Sequence, residues 1–371
     1  MAVERSEVVV LEEFVGDSFS PYNHSSSITE TRDETLVVTW YGGTEEGEDD
    51  VSIYVARKEK DGTGWSHRVE VDDGDGRACW NPVIFAPSSG PVLLYYKIGG
   101  DWNNWVACVR TSDDDGRTWS ERRWLPEADE GLYDAYGGRF VGPTKNKPLE
   151  LPDGSLLMGS STENDGKRVH MELATGDYVG SFQFLARLDG SAIQPTFLVL
   201  SDDYQVIQTI CRPDDVGHPT TAKSYDMGRT WEKLRDVGLN DVMAGLDAVT
   251  INNLNSERNR WHILAHTRYD DRRHLAVALS PDGENWDLVL PVLDAEDGKK
   301  MDYPSIIQTS DRMVHLVYSW KHRSKIKHVV LDPYVLTGEL PGPPDVPVDI
   351  NADGVVNFVD FSMFVKDEDF K

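Results

Sequence analysis

The sequence predicts an all-β protein, a six-bladed β-propeller, followed by a short C-terminal segment of another kind. Short stretches rich in β-branched and aromatic residues recur in groups of three, at intervals of roughly 40–60 residues. A turn motif, Ser-x-Asp-x-Gly-x-Thr-Trp, follows the third stretch of several groups. Each group is typical of a small antiparallel sheet, and a regular period of such sheets favours a propeller over a β-sandwich.

The first stretch of each group is predicted to form the strand nearest the central channel. These six stretches are SSSITET at 25, NPVIFAP at 81, NKPLELP at 146, QPTFLVL at 194, DAVTINN at 247 and YPSIIQT at 303. A seventh blade remains an alternative, built from residues 120–145 or from the N-terminus. No long stretch with the 3.6-residue period of a helix occurs before residue 335.

The turn motif occurs as SDDDGRTW (112–119), as SYDMGRTW (224–231) and, shortened, as SPDGENW (280–286). The distance from the second copy to the third is half the distance from the first copy to the second. A degenerate copy ends in GTGW at 62–65. The aspartate of the motif can accept hydrogen bonds from nearby N–H groups, and the glycine of the motif permits a positive φ. We therefore expect the motif to shape the outer turn between the third and fourth strands, away from the chemistry.

Composition excludes several classes of partner. The formal net charge is −27, so nucleic acid and anionic membranes would be repelled. Three cysteines, Cys79, Cys108 and Cys211, form neither a disulfide framework nor a CxxC metal pair. The beginning, MAVERSEVVVLEEF, is too charged for a signal peptide. The protein is therefore expected either to be cytoplasmic or to have lost a leader.

Together these features resemble the sialidase (neuraminidase) superfamily, and more closely its bacterial BNR/Asp-box "predicted neuraminidase" branch. The matching segments include WYGGTEEGEDDVSIYVARK (40–58), CWNPVIF (79–85), GPTKNKPLELPDGSLL (142–157), GLDAVTI (245–251) and YPSIIQT (303–309). They span residues 20–335. The resemblance implies a secreted carbohydrate-active enzyme. Sialidases share an early Phe/Tyr-Arg-Ile-Pro motif and three arginines that hold the sialate carboxylate. Here the early stretch reads PYNHSSSITET, without arginine.

Two sets of residues are predicted to surround the mouth of the channel. Residues before the first strands are His24, Asn81, Lys145, Lys147, Gln194, Asp247 and Tyr303. Residues at the ends of the second strands are Tyr41, Lys97, Glu163, Arg212, His266 and Trp320, with Asp50 and His170 nearby. Polar groups that converge at one concave end indicate a site.

The lysines and Arg212 are unexpected in so acidic a chain, and they favour a substrate that carries a carboxylate. We predict an exo-glycosidase for a terminal sialate or uronate, with His24, Asp247, Tyr303 and Glu163 as catalytic residues and no catalytic cofactor. The alternative is a uronate-glycan lyase with His24 as the base. A second alternative is a glycan-binding propeller without catalysis.

The character of the chain changes after residue 337. Residues 338–348 are rich in proline and glycine and predict a linker between a propeller (1–337) and a partial module (349–371). DINADGVVNFVD fits an EF-hand-like Ca²⁺ loop with ligands Asp349, Asn351, Asp353, the Val355 carbonyl, Asn357 and Asp360. It resembles one dockerin repeat, which implies export and a possible cohesin-like partner.

Overall fold

Six four-stranded antiparallel sheets make up the described part of the computed structural model. The structure describes residues 5–17, 20–164, 166–214, 217–239, 244–251, 260–268, 272–294 and 300–338. The residues of the calcium-loop prediction, 349–360, lie outside these ranges. Within the described ranges, the prediction of an all-β protein with six blades is confirmed.

The first three blades follow the order of the chain. Blade 1 contains β2 (Tyr22–Glu30), β3 (Leu36–Gly43), β4 (Ser52–Lys58) and β5 (Val69–Asp72). Blade 2 contains β6 (Cys79–Phe85), β7 (Val92–Ile98), β8 (Val106–Ser112) and β9 (Arg123–Trp124). Blade 3 contains β10 (Leu149–Glu150), β11 (Leu156–Thr162), β12 (Arg168–Thr175) and β13 (Ser181–Arg187).

The last three blades include one strand from the start of the chain. Blade 4 contains β14 (Ala192–Val199), β15 (Ile207–Pro213), β16 (Thr220–Ser224) and β17 (Arg235–Asp236). Blade 5 contains β18 (Asp247–Ile251), β19 (Trp261–Arg268), β20 (His274–Ser280) and β21 (Asp287–Asp294). Blade 6 contains β22 (Asp302–Gln308), β23 (Val314–Trp320), β24 (Lys325–Leu331) and β1 (Val9–Phe14).

The two segments that could have formed a seventh blade take other positions in the fold. Strand β1 pairs antiparallel with β24, so the N-terminal segment closes the ring as the outermost strand of blade 6. The stretch 120–145 contributes β9, an isolated bridge between Glu127 and Arg139, and a 3₁₀ turn at Asp134–Tyr136. Two short helices, α1 (Arg5–Val8) and α2 (Pro333–Thr337), lie beside the closure.

The axis of the ring is held by a buried carboxylate. Asp247, in blade 5, accepts hydrogen bonds from Lys147 Nζ at 2.9 Å, from Thr196 Oγ1 at 2.6 Å and from the Ile306 N–H at 3.0 Å. Those partners precede or belong to blades 3, 4 and 6. Burial alone would raise the pKa of Asp247, but Lys147 and Lys145 outweigh it and lower that pKa. One ionised side chain thus joins four blades.

The first strands of four blades share a β-bulge. Register shifts in β2, β6, β14 and β22 coincide with left-handed backbone at Ser25, Asn81, Gln194 and Tyr303, whose φ values are 53°, 38°, 51° and 57°. Proline follows three of these four residues. A bulge turns a side chain away from the regular alternation of a strand. The repeated bulge therefore presents one residue from each of these four blades at the same level of the channel.

The turn motifs lie between third and fourth strands, as predicted, and they are structural. In the second motif, Ser224 Oγ donates to Asp226 at 2.8 Å and accepts from the Gly228 N–H at 2.8 Å, while the Thr230 N–H donates to Asp226 at 2.8 Å. The first motif repeats these contacts. Each motif glycine packs against the second strand of the preceding blade, so the turn also sets the spacing between blades.

Gly228→Ala tests this packing role. A Cβ there would lie 2.6 Å from Leu157 Cδ2, at a φ of +83°. Gly176→Ala is the matched control, because its φ is +67° but no atom lies within 4 Å of the added Cβ. We expect about 1 kcal/mol of destabilisation in the control and about 2–3 kcal/mol at position 228. Urea unfolding measures both; equal losses would contradict a packing role.

The seam where the ring closes contains two buried histidines. His315 Nδ1 lies 3.0 Å from His328 Nε2, and His328 Nδ1 lies 2.9 Å from Glu13 Oε1. Glu13 also accepts from Lys58 and Trp65 of blade 1, and Asp311 lies near His315. Burial lowers the pKa of His315 to about 4 and also lowers that of His328. Both histidines are therefore neutral in the folded protein near pH 7.

The seam predicts a loss of stability in mild acid. The pKa of His315 in the folded state lies below its unfolded value of about 6.5, so the unfolded chain binds more protons between pH 6.5 and 4. The free energy of unfolding should therefore fall as pH falls through this window, by about 1–2 kcal/mol for His315 at pH 5.

Urea unfolding of His315→Gln at pH 7, 6 and 5 should give a shallower pH dependence than the wild type. His67→Gln is the control, because the exposed His67 donates a hydrogen bond to Asp17, which raises the pKa of His67. It should leave the acid loss in place. A His315→Gln variant with the full pH dependence would show that the seam does not respond to acid.

Candidate active site

A cavity of about 290 Å³ opens at the end of the propeller where the second strands connect to the third strands. These connections supply Glu46, Trp102, Trp105, Glu163, Lys167, Arg272 and Arg323 to its walls. The bulged first strands supply Asn81, Gln194 and Tyr303, and Trp80 and Arg212 complete the lining. All six blades therefore contribute side chains to the lining, which requires the ring to be closed.

Three arginines converge on this cavity. Arg212 Nη1 donates to Tyr303 Oη at 2.8 Å and to Gln194 Oε1 at 3.2 Å. Arg323 Nη1 donates to Glu46 Oε2 at 2.6 Å. The arrangement provides cationic donors from blades 4, 5 and 6 around a single opening, which suits an anionic ligand.

A buried carboxylate beneath the cavity orients two of the arginines. Asp302 Oδ2 accepts from Arg272 Nη1 at 3.3 Å and from Arg323 Nη2 at 3.2 Å. Burial raises the pKa of Asp302 to about 6, although Arg272 opposes the shift. Burial also lowers the pKa of Arg323 to about 10. Arg323 thus remains charged near neutral pH, and Asp302 holds both arginines toward the opening.

Tyr303 lies at the centre of the lining. Its hydroxyl oxygen accepts from Arg212 and, at 3.3 Å, from Gln194 Nε2. Its ring packs on His24, with the ring centroids 4.2 Å apart. Because the oxygen already accepts two hydrogen bonds, the phenolic hydrogen is left to be donated. The two hydrogen bonds therefore fix the position of the Tyr303 oxygen in the cavity.

Two glutamates line the same cavity. Burial is the main cause that raises the pKa of Glu46 and that of Glu163, against the opposing charge of Arg212 on both. Glu46 accepts a hydrogen bond from Tyr41 Oη at 2.5 Å as well as from Arg323. A raised pKa keeps part of a carboxyl population protonated closer to neutral pH, which is what a general acid needs.

Five predicted site residues line the cavity: Asn81, Glu163, Gln194, Arg212 and Tyr303. Tyr41 is fully buried and contributes through its bond to Glu46. His24 is also fully buried beneath Tyr303, where its Nδ1 lies 2.7 Å from Ser319 Oγ and 3.6 Å from Asp302 Oδ1. Burial, followed by the charges of Arg272, Arg212 and Lys145, lowers the pKa of His24.

The predicted lysines and Asp247 lie elsewhere and serve the scaffold. Lys145 is buried at the axis and donates to the carbonyls of Leu246 and Pro304. Lys97 is buried and donates to the Pro143 carbonyl. Burial lowers the pKa of both lysines to about 7. Lys147 and Asp247 form the axial ion pair, and Lys147 lines a different cavity.

Four further candidates do not line the cavity. Asp50 is exposed and accepts hydrogen bonds from Thr44, so it closes a turn. His170 is buried beside Glu172 and Tyr133, and His266 is buried in blade 5. Trp320 packs edge-on against Phe14 of the outermost strand, with ring centroids 4.9 Å apart. The sequence placed these residues near strand ends, but it did not indicate which face each side chain would take.

The residues that sequence reasoning missed come from one kind of segment. Glu46, Arg272 and Arg323 all lie in connections between a second and a third strand. The sequence could have indicated these residues, because the connections between second and third strands fall at the same end of every blade. Asp302 was missed for another reason. Sequence reasoning grouped His24 with Tyr303, but the bulges make His24 equivalent to Asp302 and Ser25 equivalent to Tyr303.

The described residues form neither a cluster of metal ligands nor a membrane-spanning helix. No group of three or more His, Cys, Asp or Glu side chains in those ranges could hold a metal ion. The proposed calcium ligands lie outside those ranges. No helix in the described ranges has the length and apolarity needed to cross a membrane.

The fold and the cavity define a six-bladed propeller with a charged pocket at the axis. The chain belongs to the BNR repeat-like domain family, whose model matches residues 34–316. No curated protein matches the sequence.

Solved structures share the fold at low sequence identity. A protein of unknown function from Dyadobacter fermentans is 12% identical, with a TM-score of 0.70 over 87% of this chain and 98% of that one. The NanB sialidase from Streptococcus pneumoniae is 12% identical, with a TM-score of 0.67 over 88% and 71%. A Trypanosoma rangeli sialidase in complex with sialic acid is 14% identical, with a TM-score of 0.65 over 91% and 59%.

Proposed function

We propose that the protein is a sialidase-like exo-glycosidase that removes a terminal sugar carrying a carboxylate, a sialate or a uronate. The observation that carries the proposal is the convergence of Arg212, Arg272 and Arg323 on the cavity that also holds Tyr303. The chain as a whole has a net charge of −27. A concentration of arginines at one opening of such a chain favours capture of a carboxylate there.

The arginines would bind the carboxylate of the terminal sugar. Asp302 already neutralises part of the charge of Arg272 and Arg323, and Glu46 neutralises part of that of Arg323. The excess positive charge is therefore modest and suits a single carboxylate. The fork of a guanidinium can bind both oxygens of that group and so fix the orientation of the ring.

Tyr303 would be the nucleophile. Its oxygen would attack the anomeric carbon while the bond from that carbon to the leaving oxygen breaks, and its proton would pass to a carboxylate. Glu163 and Glu46 line the same cavity and are the candidates to accept that proton and to protonate the leaving oxygen. Water would then cleave the glycosyl–tyrosine bond. A tyrosine nucleophile is known for sialidases among glycoside hydrolases.

Turnover of sialate- and glucuronate-capped oligosaccharides tests the proposal. Wild-type protein should release the free acidic sugar, and Tyr303→Phe should lower kcat by at least roughly 10³-fold, because the nucleophile is lost. Arg212→Lys should lower kcat/KM by about 10- to 100-fold, since the forked hydrogen bonds are lost. Tyr225→Phe is the control, because Tyr225 is 59% exposed on an outer turn, and it should keep wild-type activity.

The same assay separates the alternatives. A lyase would produce an unsaturated uronate that absorbs in the near ultraviolet, whereas a hydrolase would not. The buried position of His24 favours hydrolysis over elimination with His24 as the base. Saturable binding of these glycans without any product would instead favour a glycan-binding propeller.

We also propose that the C-terminal segment binds Ca²⁺ and that the protein is exported. The support is the sequence DINADGVVNFVD, whose oxygen-bearing side chains follow the spacing of an EF-hand loop. Calorimetric titration of the full chain with Ca²⁺ should show one site. The double variant Asp349→Ala, Asp353→Ala should abolish it, and Asp311→Ala in the propeller should not. Binding that survives the double variant would place the ion elsewhere. A cohesin-like partner would dock on the same segment.

A further inference from the structure

The cavity has two unlike walls. One wall carries the arginines, the glutamates and Tyr303, while blade 2 supplies three tryptophans, Trp80, Trp102 and Trp105. Aromatic walls beside a few placed polar groups are typical of sugar and small-molecule sites. The aromatic wall takes no part in the chemistry described above.

The three tryptophans form a packed aromatic cluster. Trp80 is 3% exposed, and its Nε1–H donates to the Gly99 carbonyl at 2.8 Å. Its ring meets that of Trp102 edge-on, with centroids 6.2 Å apart and planes at 84°, and meets that of Trp105 at 5.9 Å. Trp80 is thus locked in place, and it holds the other two rings at the cavity.

Trp102 differs from its neighbours because it is exposed. It is 46% exposed, and among the large apolar residues that are exposed in the described ranges it alone lines this cavity. Its backbone is fixed by a bond from Tyr136 Oη to the Trp102 carbonyl at 3.3 Å and by the turn in which the Asn103 N–H donates to Asp101 at 2.7 Å. The exposed ring of Trp102 at the rim of the cavity therefore offers an apolar contact surface to a ligand.

Trp105 lines the same wall. It is 3% exposed, yet its indole Nε1–H has no hydrogen-bond partner in the protein. A buried donor without a partner costs free energy, about 1–3 kcal/mol. An aromatic wall opposite a wall of charged side chains suits a ligand with both an apolar face and hydroxyl groups, which a pyranose has.

We propose that Trp102 is the specificity residue for the leaving group and stacks on a neutral pyranose next to the terminal acidic sugar. The proposal rests on the proposed function, because the arginine wall must take the acidic sugar. The second sugar then faces the other wall that the described residues form, that of blade 2. The enzyme would accordingly prefer acidic sugars linked to another sugar over those linked to a small alkyl group.

Trp102→Ala tests this preference on two substrates, 3′-sialyllactose and the methyl α-glycoside of sialic acid, and on the corresponding glucuronic acid pair. The ratio of kcat/KM for the oligosaccharide to that for the methyl glycoside should fall about tenfold, as the loss of one aromatic contact implies. Trp124→Ala is the matched control. Trp124 is 37% exposed on blade 2 and lies over Arg122 instead of the cavity, so the ratio should not change.

Binding measurements separate this inference from the proposed function. The dissociation constants of both ligands are measured by calorimetry in the Tyr303→Phe background, with and without Trp102→Ala. A tenfold weakening confined to the oligosaccharide supports the stacking role even if the wild type releases no product. Equal weakening of both ligands, an unchanged ratio, or the same change in Trp124→Ala overturns the inference. Release of product from both substrates with an unchanged ratio would leave the proposed function standing alone.

Discussion

The carboxylate of Asp247 is the interaction on which the rest of the propeller depends. It is fully buried and receives Lys147 from the segment before blade 3, Thr196 from blade 4 and the Ile306 N–H from blade 6. An ionised group in an apolar core is tolerated only when its hydrogen bonds are complete. The first strands of blades 4 and 6 are therefore held in a fixed position relative to that of blade 5, and the bulges of blades 4 and 6 are held with them.

The cavity is a consequence of that fixed position. Gln194 and Tyr303 occupy equivalent bulges in blades 4 and 6, and each touches Arg212. Asp302, which precedes the bulge of blade 6, is buried beneath them and orients two arginines from the neighbouring connections. The layers have different tasks: scaffold ions at the axis, a buried orienting carboxylate above them, and arginines, glutamates and tryptophans at the opening. Each layer depends on the one below it for its position.

Sequence reasoning identified the architecture because its signals are local. Turn motifs and three-strand groups recur at a period that is visible in the chain, and the hydrogen bonds of Ser224, Asp226 and Thr230 are made within seven residues. The same reasoning found Tyr303, Gln194, Arg212, Asn81 and Glu163 at the cavity. It placed Lys97, Lys145 and Lys147 at the substrate, although the structure uses them to satisfy buried carbonyls and Asp247. A lysine that binds substrate and a lysine that satisfies buried acceptors look the same in a sequence, and only their surroundings in the fold distinguish them.

The sequence by itself determined the strands, the turns and the family, because these depend on residues close together in the chain. The tertiary structure alone decided which charged groups face the ligand. Arg272 and Arg323 meet only because blades 5 and 6 are neighbours in the ring, and His24 falls beneath Tyr303 only because a bulge shifts the register by its extra residue. Such contacts join segments from tens to hundreds of residues apart in the chain, or they depend on one irregular backbone position. No local pattern in the chain reports either of these.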